Sequence, residues 1–452
     1  MPMRDRARWA LAVFLSMAFL SAPAIWNHFP LLQYDTGGYL AHWYEPYLVP
    51  SRAVTYGLIL KAGAVLSFWP VVLGQSALTA WVIALLLRTH GLGARPGLFA
   101  GVVAVLAAMT TLPWLTSILL TDIFAGLAVF ALYLLLLRGE ALRGGERFGL
   151  IALTAVSAAT HNATLAVLLV LLAAAGLLGR VDPRRLPSHR LAHAVVAIAF
   201  GVALVVAANA FVVKRLAWTP GGFALSFGRM LQDGIVKKYL DEHCPRAKLV
   251  LCAYKDDLPR DADEWFWGSP LFDRLGRFAG LDAEMERIAL ASIAEYPLLQ
   301  IETAAVATAR QLIAVHTGEG VVNSIWHTYG IVEHYMPQLV PEMRAARQQR
   351  GQIDFSVINR LHYPLALACL ALLPLIGGYM RRQNMTEVGE LAAWCLIALL
   401  ANAFVCGTLS NPHDRYGARL IWLAGATAVV AAVRLYEERR RLRAGAFVAS
   451  PH

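Results

Sequence analysis

The chain is predicted to be an all-α polytopic membrane protein with about ten transmembrane helices, interfacial helices and a small extracytoplasmic domain. Three observations predict this. Of 452 residues, 58% are hydrophobic and only 15% charged, far too apolar for a soluble enzyme of this length. Apolar runs of about 18 residues recur along the chain. The basic residues fall in alternate loops, as the positive-inside rule requires.

The runs place spans at 9–26, 68–88, 97–114, 119–137, 148–160, 163–179, 191–213, 362–380, 389–409 and 418–434. With the N-terminus in the cytoplasm, the cytoplasmic segments hold 19 basic residues and the short outer loops four: Arg52, Lys61, Arg415 and Arg419. Both termini are then cytoplasmic, and the +10 net charge reflects topology rather than nucleic-acid binding. The division is an N-terminal module at 1–213, an outer segment at 214–361 and a C-terminal module at 362–452. The outer segment is nearly neutral, with 17 basic and 18 acidic residues.

Taken in order, the first span follows Arg4, Arg6 and Arg8 and ends near Ala22-Pro23-Ala24. That triplet mimics a cleavage site, but the run is long enough to cross a bilayer and is read as a span. Residues 55–66 form an apolar helix too short to cross, read as interfacial or re-entrant. The hairpin 148–179 is cramped, with His161-Asn162 at its middle; a single long helix with a polar kink would put Arg138–Arg147 and Arg180–Arg190 on opposite sides. Residues 281–316 read as a helix broken at Pro297; its second half is mostly apolar but carries Glu302 and Arg310, and it is read as interfacial because counting it as a span would put Arg381-Arg382 outside. Cys244 and Cys252, eight residues apart in an outer segment, predict a disulfide in an oxidising compartment. Cys369, Cys395 and Cys406 lie in spans and read as packing residues.

This topology brings several polar residues to the outer ends of spans. Asp35 follows span one in Tyr34-Asp35-Thr36-Gly37-Gly38, whose glycines permit close backbone approach to a ligand. Asp122 begins span four, His161 and Asn162 turn the short hairpin, and His413-Asp414-Arg415-Tyr416 precede the last span. Ionisable groups at this depth are costly and mark function. Plainer readings exist: Asp35 initiates a turn, Asp122 caps a helix, and Arg415 snorkels or pairs with Asp414. His42, His327 and His334 read as ordinary surface or packing histidines.

The set suits group transfer from a polyprenyl-phosphate donor. A carboxylate serves as general base for the acceptor hydroxyl, while guanidinium binds the phosphate oxygens in a fork. Asp35 with Asp122 would alternatively hold a divalent metal, Mg or Mn, with no cofactor otherwise required.

In these stretches the chain resembles the GT-C superfamily of membrane glycosyltransferases. The residues are Tyr34-Asp35-Thr36-Gly37-Gly38-Tyr39-Leu40, Pro50-Ser51-Arg52-Ala53-Val54-Thr55-Tyr56-Gly57, Leu119-Leu120-Thr121-Asp122, Ala294-Glu295-Tyr296-Pro297-Leu298 and His413-Asp414-Arg415-Tyr416. The resemblance implies a catalytic Asp35, a second acid at Asp122 and a donor-phosphate contact at Arg415. His413, Tyr416, Arg52, His161 and Asn162 join the expected substrate site. It further implies a lipid-phosphate sugar donor, a glycan, lipid or protein acceptor, and an active site on the periplasmic face of a bacterial inner membrane. Asp35 lacks the acidic neighbour many members carry, and the Cys244–Cys252 segment departs from the soluble domains of the well-known branches.

Two other classes compete. An O-antigen ligase or polymerase would centre on Arg229, Arg310 and His316 in the late outer loop. A lipid or solute transporter would place its charges mid-membrane, often in repeated halves, and no repeat is visible in the sequence.

Overall fold

The computed structural model describes residues 3–45, 47–214, 216–218, 222–244 and 246–448, with side chains to Leu442. Among them the secondary structure is helical. In chain order the helices are α1 Met3–Asn27, α2 Thr36–Ala41, α3 Val54–Gly63, α4 Trp69–Thr89, α5 Pro96–Met109, α6 Leu112–Ser117, α7 Asp122–Leu137, α8 Gly144–Thr160, α9 Asn162–Val181 and α10 Ser188–Val213. There follow α11 Gly222–Gln232, α12 Ile235–His243, α13 Pro270–Arg274, α14 Arg277–Glu295, α15 Pro297–Ile313, α16 Trp326–Tyr335, α17 Val340–Ala345, α18 Phe355–Arg382, α19 Thr386–Leu409 and α20 Asp414–Val448.

Seven helices, α1, α4, α9, α10, α18, α19 and α20, are long and apolar enough to cross a membrane, so this is a multi-pass membrane protein. Each remaining expected span coincides with a shorter helix: 14 residues in α5, 16 in α7 and 17 in α8. α7 is nevertheless the most enclosed, with every residue from Asp122 to Leu136 buried. A helix surrounded by other helices has no lipid-facing stripe, which is why its sequence is apolar all round. The expected break in the short hairpin is present. α8 stops at Thr160, His161 takes an extended backbone (φ −159°, ψ 125°), and α9 starts at Asn162. The break at Pro297 is also present, between α14 and α15.

Polar residues inside the bundle satisfy themselves locally or across helices. Ser16 and Thr79 donate to carbonyls one turn back, and the Ser21 and Ser76 hydroxyls meet at 2.9 Å between α1 and α4. In a medium without water this satisfaction is what permits such residues.

The loops assigned to the cytoplasm are tied together at one end of the bundle. Arg88 pairs with Glu146, Arg138 and Arg185 share Glu390, Arg190 pairs with Glu140, Arg434 with Glu387 and Arg95 with Glu437. Asp122 and Arg138 sit at opposite ends of α7, and Arg415 and Arg434 are 19 residues apart on α20. At about 1.5 Å rise per residue that is roughly 28 Å, close to the ~30 Å hydrocarbon thickness.

Residues 214–361 divide into two packing groups. A lobe built from α11 to α14 has its own core around Phe227, Trp265, Phe272 and Met285. It contains the expected Cys244–Cys252 disulfide, with Cα atoms 5.3 Å apart. Residues from Val315 to Ala346, including α16 and α17, pack instead into the main body. The division follows composition: 315–346 supplies apolar residues such as Val321, Ile331, Val332 and Leu339 that complete the helix bundle, whereas the lobe encloses its own aromatic centre.

Candidate functional site

A short backbone pairing brings the two acids together. Leu31 N–H donates to the Ser117 carbonyl and the Leu31 carbonyl accepts from Leu119 N–H, both at 2.9 Å. The Thr36 hydroxyl adds a bond to the Leu119 carbonyl. On the far side, Gln75 donates from its amide to the carbonyls of Thr116 and Ile118 and accepts from the Tyr56 hydroxyl. The loop after α1 and the loop before α7 therefore behave as one piece, and it carries both Asp35 and Asp122.

Arg415, at the start of α20, reaches both. Its Nη1 lies 2.5 Å from Asp35 Oδ2 and its Nε 2.8 Å from Asp122 Oδ2. Arg52 pairs with the other Asp35 oxygen. Asp35 and Arg415 side chains are each 12% exposed and Asp122 4%. Charge-assisted bonds in so enclosed a place are strong. Burial alone would raise Asp35, but the Arg52 and Arg415 guanidiniums outweigh it and hold the carboxyl well below the usual carboxylate range.

The plainer readings are not what the side chains do. Asp35 makes no side-chain cap to α2, and both its oxygens go to arginines. Asp122 turns to Arg415, and Asp414 accepts from His316 at 2.8 Å rather than pairing with Arg415.

Two glycines admit close protein neighbours. A Cβ on Gly37 would stand 2.6 Å from the Thr328 Cα, so Gly37 admits α16, and its N–H donates to the Thr328 hydroxyl at 3.0 Å. Gly57 admits the Tyr39 carbonyl, which lies 2.0 Å from where a Cβ would be.

His161 joins the cluster through Arg419, one turn beyond Arg415. Arg419 is fully buried. It donates to Asn402 Oδ1 at 2.6 and 3.1 Å and to His161 Nδ1 at 3.3 Å, and lies over the Tyr416 ring. Asn402 donates in turn to the Tyr416 carbonyl. These partners are all neutral when His161 accepts. Asp35 and Asp122 against Arg52, Arg415 and Arg419 leave a surplus of one positive charge in the enclosed region. Asn162 is exposed, and among the described residues no hydrogen bond joins it to the cluster.

His413 faces away from Asp35. Its Nδ1 is 2.7 Å from Glu319 and its Nε2 3.4 Å from Asp263 of the lobe. Burial pulls the imidazole down, but the two carboxylates dominate and raise it to about 10. Glu319 also accepts from the Arg415 backbone N–H at 2.6 Å, so it helps fix the start of α20.

Sequence reasoning did not single out Arg419, Asn402 or Glu319 as site residues. Asn402 had a signal, being a polar amide inside an otherwise apolar span. Glu319 had only its flanking glycines.

A divalent metal does not fit these donors. Arg415 stands between Asp35 and Asp122 and engages both, and no group of three or more His, Cys, Asp or Glu able to hold a metal occurs among the described residues. Arg229 is held by Asp233, Thr303 and Gln300, and His316 by Asp414, stacked on Tyr363. Among the described residues no contact joins these two into one site. No family model, curated protein or solved structure matches this chain.

Proposed function

We propose that this protein is a GT-C-like membrane glycosyltransferase that moves a sugar from a polyprenyl-phosphate donor to a glycan, lipid or protein acceptor. In this reading ten helices cross a bacterial inner membrane, both termini are cytoplasmic and the cluster opens to the periplasm. The observation that carries the reading is Arg415 bridging Asp35 and Asp122 at the end of the bundle, within a group whose buried charges sum to plus one.

The chemistry follows from competition for guanidinium. Held by two arginines, Asp35 is a poor base. A donor phosphodiester brings an anion that recruits Arg52 and Arg415 in part, while Asp122 keeps Arg415 oriented. Asp35 then regains basicity beside the acceptor. The acceptor hydroxyl oxygen bonds to the anomeric carbon as the carbon–oxygen bond to phosphate breaks. The phosphate leaves with the bonding pair, met by the guanidiniums, and the hydroxyl proton passes to Asp35. The base is thereby strengthened only when donor is present, which limits idle hydrolysis.

Membranes containing the chain should transfer radiolabel from a polyprenyl-phosphate-linked sugar to endogenous acceptor. Asp35→Asn should lower that rate by about 10²–10⁴-fold. Undiminished transfer by Asp35→Asn would remove the reading.

A further inference from the structure

Beside the cluster lies an open cleft of about 370 Å³, lined by Glu45, Tyr47, Trp326, His327, His334 and Tyr335 among others. That volume lies within the ~300–1,000 Å³ range of small-molecule sites. Its wall is α16, the helix bolted to the Asp35 loop through Thr328, whose hydroxyl bonds Gly37 N–H and the Gln33 and Tyr34 carbonyls. His327 is within electrostatic reach of Glu45, Arg52 and Asp35.

The lining combines flat aromatic surface with a fixed carboxylate. Trp326 is 81% exposed, a large apolar ring left in the open. The Tyr335 hydroxyl donates to Glu45 Oε1 at 2.8 Å, and Tyr335 is backed by Tyr44, stacked at 4.6 Å. Burial and then a hydrogen bond to Glu45 push Tyr47 up to about 12, so its hydroxyl stays a donor at neutral pH. Glu45 is therefore held by two phenols with lone pairs to spare. Two imidazoles add further donor or acceptor groups at the rim.

This mixture selects a ligand class. An anion would meet the Glu45 carboxylate. An apolar chain would strip water from Glu45 and the histidines without replacing their hydrogen bonds. A sugar ring presents C–H groups to an aromatic face and hydroxyls to carboxylate, phenol and imidazole. A quaternary ammonium would want several aromatic faces closed around it, whereas Tyr335 has one face covered by Tyr44 and Trp326 stands exposed.

We propose that this cleft is a carbohydrate-binding subsite holding hydroxyl-rich units of the acceptor next to Asp35. Its role as an acceptor subsite rests on the transferase reading; sugar binding in the cleft does not.

The test uses the full chain in nanodiscs of phosphatidylethanolamine and phosphatidylglycerol. Saturation-transfer NMR would be recorded with mannotetraose, chitotetraose and arabinotetraose, and with choline. At least one oligosaccharide should bind, with Kd on the order of 1 mM. Trp326→Ala and Glu45→Gln should each weaken binding at least about tenfold, or roughly 1.4 kcal/mol, with an unchanged thermal midpoint, while Asp35→Asn leaves binding intact. In the transfer assay Trp326→Ala should raise the KM for acceptor and spare kcat. No oligosaccharide binding, binding indifferent to both cleft variants, or binding of choline alone would overturn the proposal. Cleft-dependent sugar binding in a chain whose transfer ignores Asp35→Asn would sink the transferase reading and leave the cleft standing.

Discussion

Arg415 and Arg419 lie one turn apart on α20, yet their surroundings are opposite. Arg415 is clasped by two carboxylates. Arg419, more deeply buried, meets an amide oxygen, an imidazole, a thiol and an aromatic ring. The difference separates two jobs that a buried cation can do. A cation matched by acids fixes geometry, because removing it strands their charge. A cation among neutral groups keeps its field for an incoming anion. The pair places a balanced cation at the first turn and an unbalanced one at the second.

The largest expected effect comes from breaking the balanced half. Arg415→Ala leaves Asp35 and Asp122 buried with one partner between them and should cost about 3–5 kcal/mol of stability, read as a lowered thermal midpoint in detergent. Adding Asp122→Asn to the same chain should recover much of that loss, since Asp122 is the carboxylate left without a cation while Asp35 keeps Arg52. Arg419→Met should cost less. It removes a desolvated charge but leaves Asn402 Oδ1 with only the weak Cys406 thiol donor, a penalty of about 1–3 kcal/mol partly offset by the lost desolvation. Equal losses in the two single variants would show that the contrast has no energetic content.

A third effect is a pH dependence at His413, two residues from Arg415. Its folded value of about 10 lies above the ordinary 6.5. Folding therefore favours the protonated form, and its contribution is full below about 6.5 and fades as pH rises towards 10. Asp263 and Glu319 are held below their ordinary values against the opposing pull of burial. Their contribution is present above those ordinary values and is lost as pH falls through the lowered ones. Thermal midpoints of His413→Gln should lack the alkaline part of this decline. The Arg415 contribution should stay flat over the same alkaline range, because guanidinium keeps its proton. An alkaline decline that persists in His413→Gln would place its origin elsewhere.

Much of this was legible in the residues themselves. Apolar runs and loop arginines located the helices, and the alternation of sides was enough to set Asp35, Asp122, His161 and Arg415 at one end. Short-range chemistry was also legible, as at Cys244 with Cys252 and at the Pro297 break. What escaped was long-range partnership. Nothing local says that Glu319 will hold His413 and the Arg415 backbone, or that Asn402 will face Arg419 across helices. The lengths of α5 and α7 were overestimated, whereas α8 begins four residues before the expected 148–160; continuous hydrophobicity marks enclosure by protein as well as by lipid, and α7 is enclosed by protein. His327 and His334, read as surface or packing histidines, are half-buried and exposed respectively, and both line the cleft once α16 is docked on Gly37.

The pairing of Leu31 with residues 117–119 has an evolutionary consequence. It rivets the two acids to a common hinge-free strip, so lengthening either connection by a single amino acid would throw one carboxylate out of register with Arg415. Thr328 shares that constraint through Gly37, whereas among the described residues no hydrogen bond or ion pair joins the cleft-lining Trp326, His327 and Glu45 to the paired strip. Diversification among descendants of this chain should therefore accumulate there, reshaping the cleft while the charged heart is inherited intact.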